Sequence, residues 1–204
     1  MRFFSEVIVP RLCDLLLNKS LLARHRREQL AGAYGGVVEI GFGTGLNLPY
    51  YPDRVHKLTA VDPNPGMHRL AQKRIKQRGI EVDQHVLGGE RLPFEDSRFD
   101  CAVSTFTLCS IEDIAQALRE VYRVLKSGGQ FLFLEYGLSP EPQVQRWQRR
   151  LNGLHVRLAN GCHLDRDIRA LVAAQPFASV EVEAFYRERT PKTHGYLYRG
   201  MATK

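Results

Sequence analysis

The stretch VVEIGFGTGLNLPYY, residues 37 to 51, constrains the fold most, because an apolar strand-like run passes directly into a glycine-rich loop. Glycine adopts left-handed backbone angles without steric cost and lets a ligand approach the main chain closely. Gly41, Gly43 and Gly45 are spaced G-x-G-x-G, and Leu46 stands where a dinucleotide fingerprint has its third glycine. The loop therefore predicts a ligand-facing turn after a strand, and Leu46 argues against a nicotinamide or flavin site.

From residue 36 onward, short apolar runs alternate with helix-like segments, which is typical of a parallel sheet covered on both faces. We predict helices over residues 65 to 79, with Gly79 as the stop, and over 111 to 129, with Glu112 and Asp113 in the first turn and Gly128 and Gly129 at the end. The predicted strands are 37 to 40, 57 to 61, 80 to 87, 99 to 105, 129 to 136, and two late runs, 179 to 186 and 195 to 204. The late pair predicts a hairpin at the sheet edge.

The 204 residues, 44% of them hydrophobic, suffice for one well-buried domain. A formal charge of +7 is spread along the chain, which favours a solvated basic surface. A non-catalytic nucleic-acid-binding module is the alternative, but no dense run of Lys and Arg interleaved with aromatic residues supports it. Four cysteines without a C-x-x-C pair indicate reduced thiols in a cytoplasmic protein and no metal site.

The first 34 residues contain an apolar run from Val7 to Leu17 that Pro10, Arg11 and Asp14 interrupt. This run predicts neither a signal peptide nor a membrane-spanning helix. The spacing of its leucines, followed by ARHRREQL, predicts an amphipathic helix with a basic end. The helix either packs over the active-site face or lies on a lipid surface.

Two carboxylates accompany the glycine loop. Glu39 lies two residues before it, where another negative charge would not favour a pyrophosphate. Asp62 ends the second predicted strand, where a carboxylate can accept hydrogen bonds from both hydroxyls of a ribose, although capping the next helix is the structural alternative. The combination indicates a positively charged ribose-containing ligand, S-adenosylmethionine.

These segments resemble class I S-adenosylmethionine-dependent methyltransferases of the type 11 domain. VVEIGFGTG resembles their motif I, LTAVDPNPGM their acidic strand end, and GGERLPFEDSRFDCAVSTFTLCSI and ALREVYRVLKSGGQFLFLE the segments that follow. The resemblance implies an α/β fold, a Rossmann-like three-layer sandwich whose seven-stranded, mostly parallel sheet has an antiparallel last strand. It also implies one domain over 1 to 204: a helical cap (1 to 34), a cofactor-binding core (36 to 136) and substrate-side helices with a final β-hairpin (137 to 204).

The resemblance also implies a set of cofactor-binding residues. Motif I and the end of the fourth strand would surround the methionine moiety and the transferred methyl, the end of the second strand the ribose, and later residues the adenine. The set comprises Glu39, Gly41, Gly43, Gly45, Asn47, Asp62, Pro63, Asn64, Met67, Gly89, Glu90 and Thr105.

VDPNP, FTLCSIED and NGCHLDRD resemble a narrower branch, the membrane-associated alkyl-thiol methyltransferases and their bacterial relatives. This resemblance implies S-methylation of a small-molecule thiol by in-line displacement, with no nucleic acid and no obligate protein partner. Methylation of a lipid amine or a quinone-like ring at a membrane surface is the alternative. Candidate catalytic residues are His163, Cys109 and Tyr136. Five aromatic residues either wall an acceptor pocket or belong to the core: Phe3, Phe4, Phe106, Trp147 and Tyr196.

Overall fold

A computed structural model describes residues 4 to 18 and 20 to 204, without the side chains of Phe4 and Ser5. The predicted pocket roles of Phe3 and Phe4 therefore lie outside what the structure describes. Its strands form a sheet in the order β3-β2-β1-β4-β5-β7-β6. They are β1 Gly35–Ile40, β2 Val55–Val61, β3 Glu81–His85, β4 Phe99–Thr105, β5 Leu125–Tyr136, β6 Ser179–Tyr186 and β7 Tyr196–Thr203. β7 runs antiparallel to both of its neighbours, and the other described pairs are parallel. The predicted mixed sheet with its late hairpin is confirmed.

Helices cover both faces of this sheet. They are α1 Val9–Leu17, α2 Ser20–Leu30, α3 Pro65–Arg78, α4 Ile114–Val124, α5 Pro142–Leu158, α6 Ile168–Ala173 and α7 Lys192–Gly195. A π-helical turn, Phe4–Ile8, precedes α1, and a 3₁₀ turn, Leu48–Tyr50, follows the glycine loop. None of the helices in the described ranges combines the length and apolarity needed to cross a bilayer.

The core is divided between the two faces because successive strand side chains point to opposite sides. Val38 and Phe131 pack with α4, including Leu118, whereas Val37 and Leu132 belong to the opposite cluster with Leu30 of α2. Each of these side chains is at most 2% exposed. The three-layer arrangement predicted from the alternating elements is thus confirmed.

The predicted helix over residues 111 to 129 is too long at both ends. Asp113 caps α4 from outside by accepting a hydrogen bond from Gln116 N at 2.9 Å, and the helix ends at Val124. Leu125 is extended, fully buried and paired with Phe99, so the chain enters β5 directly. Gly128 and Gly129 lie within β5 and do not end the helix. Sheet pairing at Leu125 overrides the helical periodicity. Gly79, in contrast, ends α3 as predicted, with φ at 70°.

The strand order changes direction at β1. From β1 the sheet continues with β2 and β3 on one side and with β4 and β5 on the other. In open α/β sheets, ligands bind outside the carboxyl ends of the strands at such a switch point. The carboxyl ends of β1, β2 and β4 hold the glycine loop, Asp62 and Thr105, which locates the candidate site.

Candidate active site

The glycine loop uses its three glycines in different ways. Gly41, Gly43 and Gly45 have φ values of 75°, 57° and 76°. A Cβ on Gly41 would lie 1.9 Å from Thr107 Oγ1, and one on Gly45 would lie 2.9 Å from Leu48 Cδ1. The atom nearest to a Cβ on Gly43 would be Gly41 O at 3.9 Å. Gly41 and Gly45 therefore permit tight packing, whereas Gly43 leaves open space for a ligand.

Asp62 is fixed beside this loop. Its Oδ2 accepts a hydrogen bond from Gly43 N and its Oδ1 accepts one from Asn64 N, both at 2.9 Å. Burial raises the pKa of this carboxyl above its ordinary value. Asn64, not Asp62, caps α3, with its Oδ1 accepting from Gly66 N at 2.9 Å. Because a carboxylate oxygen can accept more than one hydrogen bond, Asp62 retains acceptor capacity for a ligand.

Three predicted residues meet in a buried polar cluster below the loop. Asn47 Nδ2 donates to Glu39 Oε1 at 2.8 Å and to Thr105 Oγ1 at 2.9 Å, and Tyr51 OH donates to Glu39 Oε2 at 2.7 Å. Glu39 is 1% exposed, and this burial raises its pKa to about 7. Glu39 thus orients Asn47 and contributes a titratable carboxyl from below the cleft.

Arg26 of α2 completes this cluster, and the sequence reasoning missed it. Its Nη1 donates to Asn47 Oδ1 at 2.5 Å and to Thr105 Oγ1 at 2.9 Å, while its Cζ lies 5.0 Å from the centre of the Phe106 ring. The side chain is only 4% exposed, and burial lowers the pKa of the guanidinium. The feature that could have identified Arg26 is its position on the helix. It lies on the same face of α2 as the other buried residues, which are Leu22, Gln29 and Leu30. Arg26 therefore occupies the inward face of an otherwise basic helix.

The N-terminal segment packs against the same face. Thr44 Oγ1, in the glycine loop, donates to Asp14 Oδ1 at 2.5 Å, and Arg74 of α3 forms an ion pair with Asp14 at 2.8 Å. A Cβ on Gly66 would lie 1.9 Å from Glu6 O, so the turn before α1 contacts the start of α3 directly. The outward side of the segment is apolar, and its large exposed side chains are Ile8, Leu12, Leu15, Leu16 and Leu21.

The residues predicted around the adenine lie on the other side of Asp62. Met67, in the first turn of α3, is 8% exposed. A Cβ on Gly89 would lie 2.8 Å from Ile40 Cγ2, which places Gly89 against the end of β1. Pro63 is exposed and Glu90 is half-buried. These positions follow the rim from β2 to β1.

The chain leaves β4 in a strained conformation. Phe106, directly after Thr105, has φ at 55°, which is unusual for a bulky residue, and its N–H donates to Leu134 O at 2.8 Å. Glu135, also missed from the sequence, holds the following loop: it accepts from Ser104 Oγ at 2.7 Å and from Thr107 N at 2.8 Å. Burial raises the pKa of Glu135 to about 7. The feature of the sequence that could have identified Glu135 is an acidic residue inside an otherwise apolar strand.

Two of the three catalytic candidates lie next to each other. His163 N donates to Cys109 O at 2.8 Å, and His163 Nδ1 is 3.3 Å from Asn152 Nδ2 and 3.8 Å from Asp165 Oδ1. Cys109 is 2% exposed, and its Sγ lies 2.9 Å from Cys162 Sγ. The segment from 161 to 166 therefore lies against the loop after β4.

Tyr136, the third candidate, packs against Phe106, and the centres of the two rings are 4.9 Å apart. Its hydroxyl accepts a hydrogen bond from Arg187 at 2.8 Å, and burial raises its pKa. The ring of Phe106 thus contacts both the buried guanidinium of Arg26 and the ring of Tyr136. Two other aromatic candidates lie apart from this group, since Trp147 is 55% exposed and Tyr196 packs between Tyr186 and Tyr198.

Comparisons with known proteins agree with this geometry. A family profile described as a methyltransferase domain matches residues 38–133. A Mus musculus protein named thiol S-methyltransferase TMT1B is 35% identical over 187 residues, covering 89% of this chain and 76% of that protein. The chain belongs to the class I S-adenosylmethionine-dependent methyltransferases.

Two further relatives show how far the similarity of this methyltransferase extends. The Rattus norvegicus protein of the same name is 34% identical over 151 residues, which span 72% of this chain but only 62% of the rat protein. The crystal structure of a Thermotoga maritima S-adenosylmethionine-dependent methyltransferase has a TM-score of 0.70 at 23% identity, covering 100% of this chain and 98% of that one. The fold extends over the whole methyltransferase chain, including the flanks of the matched domain.

The residues at the carboxyl ends of β1, β2 and β4 suit S-adenosylmethionine, which supplies a methyl group on a positively charged sulfur. Gly43 leaves room above the loop, and Asp62 has acceptor capacity for ribose hydroxyls. Arg26 Nη1 contacts Asn47 and Thr105, and neither Nε nor Nη2 has a hydrogen-bond partner among the described residues. The fork of a guanidinium matches a carboxylate, and the amino-acid end of the cofactor carries one.

Proposed function

We propose that this enzyme methylates the sulfur of small-molecule thiols. The similarity to the mouse thiol S-methyltransferase supports this assignment, because it extends over 187 residues, far beyond the 96 residues of the matched domain. It therefore includes parts of the flanks. In the family that the sequence resembles, the variable region in these flanks determines which acceptor is methylated. The acceptor side that we propose lies between Phe106, Tyr136 and the segment from 161 to 166.

We propose that Asp62 binds the ribose hydroxyls and that Gly41, Gly43 and Gly45 support the methionine portion with Asn47 and Thr105. Arg26 would bind the carboxylate of that portion through its free N–H groups. Pro63 and Asn64 would lie beside the ribose, Met67 near the adenine, and Gly89 and Glu90 at the adenine edge. Glu39 would act from below by orienting Asn47 and by favouring a positively charged ligand.

The surroundings of the acceptor suit a thiol. A free thiol has a pKa of about 8.5, so a few per cent is already ionised at pH 7. The guanidinium of Arg187, which donates to Tyr136, and that of Arg26 favour an anionic nucleophile in this region. The thiolate then needs correct alignment rather than a strong base. Holding two reactants in line can contribute about 7 to 11 kcal/mol.

His163 is the residue that we propose to position or deprotonate the acceptor. Asn152 Nδ2 can donate to Nδ1 of the His163 imidazole at 3.3 Å, and the backbone N–H of His163 donates to Cys109 O. A positioned acid or base contributes about 10²- to 10⁴-fold in rate. We expect His163→Asn to lower kcat for weakly acidic alkyl thiols by roughly 100-fold and for acidic aryl thiols much less. His155→Asn is the matched control, because His155 packs against His194 instead.

The function is tested by calorimetric titration with S-adenosylhomocysteine, followed by methyl transfer to alkyl thiols, aryl thiols, hydrogen sulfide, catechols and amines. We expect binding together with turnover of thiols. Binding with turnover of amines or catechols alone would overturn the thiol assignment and leave the cofactor assignment intact. NAD binding in place of S-adenosylhomocysteine would overturn both.

A second candidate function is methylation of a lipid amine or quinone-like ring at a membrane surface. The exposed leucines of α1 favour it, because Leu12, Leu15 and Leu16 are 47%, 72% and 50% exposed on a helix that packs over the cofactor face. Co-sedimentation with anionic phospholipid vesicles that survives moderate salt would support this candidate. Absence of binding at low salt would exclude it.

A further inference from the structure

Two cysteines that are 53 positions apart in sequence meet at the edge of the candidate site. The Sγ atoms of Cys109, after β4, and Cys162, after α5, are 2.9 Å apart. A disulfide bond is about 2.05 Å long, so less than about 1 Å of movement separates this contact from a covalent link. The other two cysteines are Cys13 on α1 and Cys101 within β4.

Neighbouring hydrogen bonds hold the two thiols in place. His163 N donates to Cys109 O at 2.8 Å, and the guanidinium of Arg166 donates to Leu108 O. Leu164 N donates to Asn152 Oδ1 at 2.9 Å, which ties the same segment to α5. These bonds lie on both sides of the thiol pair. The short distance between the two Sγ atoms is therefore supported by the packed backbone around them and does not depend on side-chain rotation alone.

The two thiols differ in access to solvent. Cys162 is half-buried, whereas Cys109 is 2% exposed. Such a pair suits a sequence in which the accessible thiol reacts first and the buried one resolves the adduct. A hydrogen bond from Cys109 lowers the pKa of Cys162, whereas burial raises the pKa of Cys13 and raises that of Cys101 to about 12. The same hydrogen bond, together with burial, raises the pKa of Cys109, so Cys162 is the thiol of this pair that is suited to react first.

We propose that Cys109 and Cys162 form a redox modification site at which a small-molecule disulfide converts the dithiol into an intrachain disulfide and stops methyl transfer. The choice of oxidant rests on the proposed function, since a disulfide is the oxidised form of a thiol acceptor. The site would make the enzyme active when its acceptors are reduced and inactive when they are oxidised.

The reaction has two exchange steps. Deprotonated Cys162 Sγ attacks one sulfur of the small-molecule disulfide, a mixed disulfide forms, and one small-molecule thiolate leaves. Deprotonated Cys109 Sγ then attacks Cys162 Sγ, the intrachain disulfide forms, and the second thiolate leaves. The two cysteines lose two electrons and two protons, and the small-molecule disulfide gains them as two thiols.

The link would constrain the acceptor side directly, whereas Phe106 and Thr107, which contact Arg26 and Gly41, precede Cys109 in the loop after β4. It would join the loop after β4, which carries Phe106, to the segment from 161 to 166, which carries His163. A displacement of about 1 Å in a reacting group can cost roughly 100-fold in rate. Asp62, Arg26 and the glycine loop lie outside this link, so cofactor binding should persist.

The test incubates the folded chain of 204 residues with oxidised glutathione and maps the cysteines by mass spectrometry, with S-adenosylhomocysteine affinity measured in parallel. We expect a disulfide between Cys109 and Cys162, unchanged affinity for S-adenosylhomocysteine, a roughly 100-fold loss of thiol methylation, and recovery of activity with dithiothreitol. Cys109→Ala should retain glutathione on Cys162, because the resolving thiol is missing. Cys13→Ser is the matched control and should form the same disulfide as the parent.

Other outcomes would overturn the inference: no intrachain disulfide, a disulfide that includes Cys13, or a Cys109–Cys162 disulfide without loss of activity. The mapping and the cofactor titration do not depend on the acceptor. If the disulfide forms and amines rather than thiols are methylated, the proposed function fails, while loss of amine methylation on oxidation would still support the modification site.

Discussion

Arg26 Nη1 lies 2.9 Å from Thr105 Oγ1, so a residue of the second helix contacts the end of the fourth strand across 79 positions of sequence. The same nitrogen contacts Asn47 Oδ1, and the aromatic ring of Phe106 lies beside the guanidinium. A buried cation at this position is costly unless it meets an anion, because desolvation disfavours an isolated charge. Glu39 supplies a carboxyl close by, and the cofactor would supply another.

The first prediction separates cofactor binding by Arg26 from a purely structural role. We expect Arg26→Gln to weaken S-adenosylhomocysteine binding by about 10- to 100-fold, since a charge-assisted bond contributes about 1.5 to 3 kcal/mol. Binding of 5′-methylthioadenosine, which lacks the amino-acid portion, should change little. Calorimetry with both ligands measures this difference. Equal losses for the two ligands would contradict the carboxylate contact. Arg27→Gln, at an exposed position on the same helix, is the control.

The second prediction concerns the loop and the end of β2. We expect Asp62→Ala and Gly43→Val each to abolish measurable binding of S-adenosylhomocysteine in a folded protein. Asp62→Ala removes the proposed ribose acceptor and the anchor of Gly43 N, and Gly43→Val fills the open space at a φ of 57°. Calorimetry measures binding and circular dichroism checks the fold. Parent-like affinity in either folded variant would remove that residue from the site. Asp53→Ala, whose side chain is 98% exposed, is the control.

The third prediction concerns the contact between the N-terminal segment and the loop. Asp14 joins Thr44 to Arg74, so Asp14→Ala removes both a hydrogen bond and an ion pair. We expect faster amide hydrogen exchange over residues 9 to 17 and several-fold weaker cofactor binding, on the order of 1 kcal/mol. Unchanged exchange would show that apolar packing alone holds the segment. Asp96→Ala, which removes an exposed ion pair with Arg123, is the control.

The fourth prediction concerns pH. Burial raises the pKa of both Glu39 and Glu135 from 4.5 to about 7. Between these pH values the folded state holds protons that the unfolded state has released. The contribution of these two carboxyls to the free energy of unfolding should therefore be largest below pH 4.5, fall as the pH rises to about 7, and level off above it. Each carboxyl contributes up to about 3 kcal/mol to this fall.

Urea unfolding at pH 5.5 and pH 7.5 measures this decrease. Glu135→Gln should reduce it, because the amide remains neutral over the whole range. Glu95→Gln, at an exposed position, should leave it unchanged. A parent chain whose stability rises from pH 5.5 to pH 7.5 would contradict the assignment of raised pKa values.

The features that the sequence could predict depend on local chemistry. The left-handed turns of Gly41, Gly43 and Gly45 and the αL stop at Gly79 follow from what glycine alone tolerates. Alternating apolar and polar residues predicted β6 at 179 to 186 without error. The end of α4 at Val124 could not be predicted in this way, because pairing of Leu125 with Phe99 decides it.

The features that the sequence could not predict join distant parts of the chain. Arg26 reaches Thr105, Asp14 reaches Thr44, and Cys162 reaches Cys109 only after the sheet has formed. Each of these residues lies in a segment with an adequate local explanation, either a basic helix end or a polar loop. The helical position of Arg26 beside Leu22 and Leu30 marks it as inward-facing, but its partners, like those of Asp14 and Cys162, are visible only in the three-dimensional arrangement.

Asp14 and Arg26 precede the matched domain, residues 38–133, and Cys162 follows it, although all three lie against it. The matched domain therefore provides the surface, and the two flanks supply side chains that pack against the same rim of the sheet. If the acceptor side lies where we propose, exchange of residues 137 to 178 should change the acceptor while the matched domain, the first thirty residues and the final hairpin stay in place.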